Sequence, residues 1–86
     1  MYPLTKQDIL NILNYYNPIG IADKNRLDEY EPEAKMIFKK LSKTSSFKDI
    51  ENIIYETFVE MFSLSIAKSK RQYFSNIAKD IWQKMI

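Results

Sequence analysis

Four of the eleven acidic residues of this chain lie within six positions, in the sequence DEYEPE. Clustered carboxylates attract cationic partners, can act as an acid and base pair, and can bind hard cations. The cluster lacks the spacing of a Mg²⁺ or Ca²⁺ site, so we expect no metal. Acids also favour helix starts, because the positive end of the helix dipole lies there. A binding surface and an acid-rich helix start are therefore both open interpretations of Asp28, Glu29, Glu31 and Glu33.

Aromatic residues lie in and near this acidic cluster. Tyrosine is enriched among the residues that dominate binding energies at protein interfaces. We expect Tyr30, between the carboxylates, to anchor a partner, and Tyr15 or Tyr16 to extend the contact if the first helix ends nearby. The expected partner-binding residues are Asp28, Glu29, Tyr30, Glu31, Glu33 and Tyr16.

The C-terminal part of the chain is basic. Residues 61–86 contain five bases and one acid, whereas residues 1–60 contain eight bases and ten acids. In KSKRQYF, basic and aromatic residues alternate as in proteins that bind nucleic acid. A short basic run at a helix start is more often a solvated face, and we favour that interpretation. The alternative is a nucleic-acid face made of Lys68, Lys70, Arg71 and Tyr73.

The chain contains no Cys and no His, and it has a single Gly. It therefore lacks thiol nucleophiles, disulfides, the usual general base at neutral pH and a glycine-rich phosphate loop. We expect a protein without catalytic activity, cofactor or small-molecule substrate. No apolar run reaches the roughly 20 residues of a membrane span, and the segment MYPLTKQD lacks the cationic and apolar regions of a signal peptide, so we expect a cytoplasmic protein.

The pattern of apolar residues predicts four helices in one domain, residues 1–86. Thr5 and Asp8 predict the start of a helix over residues 6–16, and Asn17-Pro18-Ile19-Gly20 ends it. A long irregular loop over residues 17–31 follows, pinned against helices one and three by Ile19, Ile21 and Leu27.

The second helix is expected over residues 32–42, and the third over residues 47–62 after a capping pattern at Ser46 and Asp49. The third helix is expected to be the central one, with Glu51 and Tyr55 toward its flanks. The fourth is expected to start between Ser65 and Ser69. The expected inward residues include Ile37, Phe38, Ile54, Phe58, Met61, Phe74 and Ile77. The predicted fold is a small all-α bundle.

Two short motifs carry a resemblance to a known family. NPIGI and DEYEPEA resemble the W-D-P-I-G-like turn and the D-E-Y motif of a family of short all-helical bacterial proteins of unknown function. Tyr16 stands where that family usually has Trp, and Asn17 where it has Asp. The chain also looks like immunity proteins of bacterial contact-dependent inhibition systems, and no catalytic residues come with either resemblance.

These observations predict a protein-binding module. The acids can mimic the charge of a phosphate backbone, so the basic cleft of a nuclease toxin is a natural complement to them. We therefore expect an immunity protein that covers such a toxin. A housekeeping or regulatory interaction is the alternative.

Overall fold

The computed structural model describes residues 4–20, 28–42 and 45–86. All regular secondary structure within these ranges is helical, which confirms the predicted all-α class. Five helices follow one another: α1 Lys6–Tyr16, α2 Glu31–Lys40, α3 Phe47–Met61, α4 Leu64–Ser69 and α5 Arg71–Met85. Ile21 and Leu27, which we expected to pin the loop, lie outside the described residues, as do residues 22–26 between them.

Helices α1 and α3 start with the caps that the sequence predicts. The Thr5 hydroxyl accepts a hydrogen bond from the Asp8 N–H at 3.1 Å, and the Asp8 carboxylate accepts one from the Thr5 N–H at 2.9 Å. Ser46 and Asp49 form the same reciprocal pair at the start of α3. Each cap satisfies backbone N–H groups that have no partner inside the helix, and the bond from the Thr5 N–H lowers the pKa of Asp8.

The end of α1 depends on a left-handed residue. Asn17 has a φ of 47°, and its N–H donates to the Leu13 carbonyl at 2.8 Å. Asn tolerates this conformation better than most residues, and Pro18 then prevents another helical turn. The Gly20 N–H closes the turn by donating to the Asn17 carbonyl at 3.1 Å, and Gly20 has a φ of 79°, which glycine adopts without strain.

The four longer helices pack as a ring around one core. Helix α1 packs against α2 and α5, and α3 packs against the same two helices from the other side. Helix α4 packs against α3. Helix α3 is therefore a main support, as predicted, but α1 packs chiefly against α2 and α5 rather than against α3.

Two aromatic contacts show that α5 runs antiparallel to α3. Phe47 at the start of α3 lies beside Trp82 near the end of α5, and Tyr55 lies beside Phe74 near the start of α5. The two helices thus face each other along most of their length.

The predicted fourth helix is divided into two. Ser63 caps a separate short helix, α4, by accepting a hydrogen bond from the Ile66 N–H at 3.1 Å. Lys70 separates α4 from α5 with a φ of −113° and a ψ of 17°. The prediction of one helix starting between Ser65 and Ser69 is therefore wrong, because a serine cap begins a helix without any Gly or Pro to mark the break.

Phe58 on α3 lies at the centre of the aromatic core. Its ring centroid is 4.8 Å from that of Phe74, 5.6 Å from that of Phe62 and 6.2 Å from that of Tyr30. These contacts join α2, α3 and α5 at one place. Two residues expected to face the core are instead partly exposed, Phe38 at 37% and Met61 at 38%, because both lie at the edge of their helix's apolar face.

We predict that Phe58→Ala destabilises the protein by about 3–5 kcal/mol, because it leaves a cavity where three helices meet. Urea denaturation followed by circular dichroism measures this change. Met61→Ala on the same helix is the matched control, and it should cost much less because Met61 is partly exposed. Equal losses for the two variants would contradict the central position of Phe58.

Candidate functional site

Tyr30, the residue before α2, is buried in the core rather than exposed among the acids. Its hydroxyl donates a hydrogen bond to the Asn17 side-chain oxygen at 2.8 Å and accepts one from the Ile19 N–H at 3.0 Å. The ring meanwhile packs beside Phe58. Tyr30 has no accessible surface for a partner, so the prediction that it anchors one is wrong. Its observed role is to hold the turn after α1 against the start of α2.

Glu33 is also buried, with 3% of its surface exposed. Its Oε1 has no hydrogen-bond partner among the described residues, and burial raises the pKa of its carboxyl group. The helical period explains this position, because residues 30, 33, 34 and 37 fall on one side of α2 and that side faces the core. Glu33 is therefore not part of an exposed acidic cluster, which corrects the prediction.

Three acids remain accessible at the start of α2, and we call Asp28, Glu29 and Glu31 the acidic surface. Asp28 is exposed, while Glu29 and Glu31 are half-buried. The Oε1 of Glu31 lies 3.4 Å from the Nζ of Lys6 on α1, and both side chains are nearly half exposed. An exposed pair of this kind contributes about 0–1 kcal/mol, so a partner's cation can compete for Glu31.

Tyr16 and Tyr15 differ in what they offer a partner. The Tyr16 hydroxyl donates to the Asp80 carboxylate at 2.8 Å, and this bond, helped by burial, raises the pKa of Tyr16 to about 12. Tyr16 therefore joins α1 to α5 and has little freedom to bind elsewhere. Tyr15, in contrast, is 81% exposed. Of the two, Tyr15 is therefore the better aromatic candidate for contact with a partner.

The residues of the alternative nucleic-acid face lie at the junction of α4 and α5. Lys68 is exposed, and the Nζ of Lys70 lies 5.4 Å from the centre of the Tyr73 ring. Arg71 is directed to α3, where its guanidinium carbon lies 4.1 Å above the Tyr55 ring. The structure thus separates these residues into a Lys70–Tyr73 pair and an Arg71–Tyr55 pair.

A cleft of about 310 Å³ lies between α3 and α5. Of the residues that line it, only Arg71 was a candidate from the sequence. The sequence places Glu51 and Tyr55 on the flank of α3, which indicates that they lie near a helix–helix boundary. It does not indicate which part of α5 they face. The lining residues are Lys48, Glu51, Tyr55, Arg71, Gln72, Phe74 and Ser75.

Within residues 4–20, 28–42 and 45–86, no three residues of the types His, Cys, Asp and Glu come together as a set of metal ligands. In the same part of the chain, each helix is too short or too polar to cross a membrane.

Comparisons of the chain with protein-family models, with curated proteins and with solved structures found no match. The resemblance to the bacterial family therefore stays a prediction. The structure does relate the two motifs that carry it, since the hydroxyl of Tyr30 in DEY donates a hydrogen bond to the side-chain oxygen of Asn17 in NPIG. The two motifs thus meet in the fold through this contact.

We predict that Tyr30→Phe destabilises the protein by about 1–3 kcal/mol, because it removes the hydroxyl's hydrogen bonds to Asn17 and Ile19 at a buried site. Urea denaturation measures the change. Tyr15→Phe is the control, since it removes a hydroxyl from an exposed tyrosine of the same region and should change stability by less than about 0.5 kcal/mol. Equal stabilities of the two variants would show that the hydroxyl of Tyr30 does not tie the turn to α2.

We predict that Glu33 makes stability depend on pH. A carboxyl group whose pKa is raised on folding binds more protons in the folded state, so its contribution to stability falls as the pH rises above the ordinary value of 4.5. Glu33→Gln should therefore gain stability relative to the parent protein between pH 4 and pH 7, as measured by urea denaturation at each pH. Glu56→Gln, at an exposed position of α3, is the control. A pH-independent difference between Glu33→Gln and the parent would contradict the burial of a charged group.

Proposed function

We propose that the protein is a non-catalytic binding module that covers a basic surface of a protein partner. We further propose that this partner is a nuclease toxin of a contact-dependent inhibition system, which the present chain neutralises in the cytoplasm as an immunity protein. The observation that supports the proposal is the acidic surface, whose residues flank Tyr30, and Tyr30 is itself held by hydrogen bonds to Asn17 and Ile19.

Charge complementarity is the first part of the argument. A nuclease must present cations to the phosphates of its substrate, and Asp28, Glu29 and Glu31 present anions at the start of one helix. Such an arrangement speeds encounter and favours a basic partner over other surfaces. The Lys6–Glu31 pair is exposed, so a partner's arginine can replace Lys6 with little loss.

Rigidity is the second part. The start of α2 is fixed from both sides, since Tyr30 contacts Phe58 of α3 through its ring and residues 17 and 19 through its hydroxyl. A surface that is ordered before binding loses less conformational entropy on association. This frame therefore favours tight binding through a small number of charges.

An exposed aromatic residue completes the proposed contact. Tyr15 is 81% exposed two residues before Asn17, which receives the Tyr30 hydrogen bond. Tyrosine adds a large apolar area with a polar tip, as interface hot spots require. In this proposal Tyr15 takes the role that the sequence suggested for Tyr30.

The pair formed by Lys70 and Tyr73 supports a second candidate function, nucleic-acid binding. Tyr73 is 41% exposed, and a cation lies above its ring, so a base could stack there near a phosphate contact. Binding of this kind would weaken steeply with salt, which distinguishes it from the first proposal. A housekeeping or regulatory partner with a basic surface would use the same acidic residues as a toxin.

The test of the first proposal uses the protein encoded by the neighbouring gene, which we expect to contain a cationic nuclease domain. We expect the purified chain to bind that domain and block its nuclease activity. The double variant Glu29→Lys with Glu31→Lys should weaken the complex by several kcal/mol, because repulsive contacts replace attractive ones. Isothermal titration calorimetry and a nuclease assay measure the two effects.

The control is the double variant Glu56→Lys with Glu60→Lys on α3. It changes the net charge by the same amount, and it breaks the exposed ion pair of Glu60 with Lys40 at 3.9 Å. It should bind and inhibit like the parent protein. Equal weakening by both double variants, or weakening only by changes at Lys68, Lys70 and Arg71, would show that the acidic surface is not the contact.

A further inference from the structure

The cleft between α3 and α5 has features of a binding site that are independent of the acidic surface. It lies between the first half of α3 and the first turn of α5, and its volume of about 310 Å³ is at the lower end of the range for ligand pockets. Polar groups from both helices converge on it, with the Tyr55 ring at its wall. Such a cleft fits a small molecule better than a protein segment.

Arg71 is the charged group best placed to bind a ligand there. Its guanidinium lies 4.1 Å from the centre of the Tyr55 ring, which orients the group. It forms no ion pair with any carboxylate of the described residues. A guanidinium stacked on a ring keeps its N–H edge for a planar oxyanion, which it binds through two parallel hydrogen bonds.

The other charges of the cleft limit the charge of the ligand. The Nζ of Lys48 lies 3.3 Å from the Glu51 carboxylate, so these two residues largely neutralise each other. The lining therefore has a net charge of one positive unit, which belongs to Arg71. A second negative charge on the ligand would find no second cation in the lining to pair with, because Lys48 is already paired with Glu51.

The first turn of α5 adds a weaker attraction for an anion. No side chain caps the N-terminus of this 15-residue helix, so its first N–H groups and its dipole favour negative charge nearby. The amide of Gln72 and the hydroxyl of Ser75 line the cleft beside this turn and can bond to further oxygens of a ligand.

We propose that the α3–α5 cleft binds a small organic carboxylate, whose single charge pairs with Arg71. A carboxylate matches the guanidinium fork in shape and the cleft in net charge, whereas a phosphate dianion would leave one charge uncompensated. The proposal concerns binding alone and includes no chemical step.

Benzoate is the probe that tests this proposal, with benzamide as its neutral analogue of nearly the same shape. In ¹⁵N-resolved NMR titrations, we expect saturable benzoate shifts at Tyr55, Gln72 and Ser75, with a Kd of about 10 mM or below, as suits a ligand of this size. Benzamide should bind at least about tenfold more weakly. A saturable shift at residues of other helices, without shifts in the cleft, would overturn the proposal.

Two variants of Arg71 distinguish the contribution of the guanidinium's paired N–H groups to benzoate binding from that of its positive charge. Arg71→Gln should weaken benzoate binding about tenfold or more, and Arg71→Lys should restore only part of it because Lys lacks the fork. Lys68→Gln is the matched control, since Lys68 is an exposed cation outside the cleft, and it should bind benzoate like the parent protein. Circular dichroism checks that each variant is folded. Equal losses for Arg71→Gln and Lys68→Gln would overturn the assignment.

Two further probes distinguish other sources of anions. Inorganic phosphate should bind more weakly than benzoate, and tighter phosphate binding would overturn the choice of a carboxylate. A single-stranded oligonucleotide should not compete with benzoate at 0.15 M salt. Competition that disappears in the variant Lys68→Gln with Lys70→Gln would show that the surface binds a nucleic-acid backbone instead.

Discussion

The buried hydroxyl of Tyr30 is the constraint on which the arrangement of the first half of the protein depends. A phenol inside a core needs hydrogen-bond partners, because an unsatisfied polar group there costs about 1–3 kcal/mol. Those partners are Asn17 and Ile19, so the chain after α1 must return to the start of α2. The left-handed Asn17 both ends α1 and accepts this bond. One tyrosine thus sets how α1, α2 and α3 meet.

Burial of Tyr30 also decides which acids can reach a partner. Once Tyr30 faces the core, the period of α2 brings Glu33 inward with it and leaves Glu31 on the flank facing α1. Of four clustered carboxylates, one has a raised pKa in the core and three form the acidic surface. The acidic surface is therefore small because the helical period buries Glu33, and the chemistry of the four acids plays no part in this.

Opposite charges are concentrated on different elements of the fold. The acidic surface belongs to the segment that starts α2, whereas the exposed cations Lys68 and Arg71 belong to α4 and α5. Each group is held by an aromatic contact, Tyr30 with Phe58 in the first case and Arg71 with Tyr55 in the second. The two proposed sites, one for a protein partner and one for a small anion, therefore lie on separate parts of the chain. The proposed carboxylate site is consistent with any function of the acidic surface, since it shares no residue with it.

The sequence by itself determined the all-α class, the bounds of α1 and the caps of α1 and α3. These features depend on interactions between residues three or four positions apart, such as Thr5 with Asp8, and on backbone limits at Pro18 and Gly20. Only the tertiary structure decided the burial of Tyr30, the bond from Tyr16 to Asp80, 64 positions away, and the cleft between α3 and α5. Periodicity shows that a helix has an apolar side, but not which helix covers that side or which flank residues then meet. Helix α4 is an intermediate case. Its Ser63 cap is a local interaction, which a sequence can encode, but serines are common in connecting segments and most of them do not start a helix.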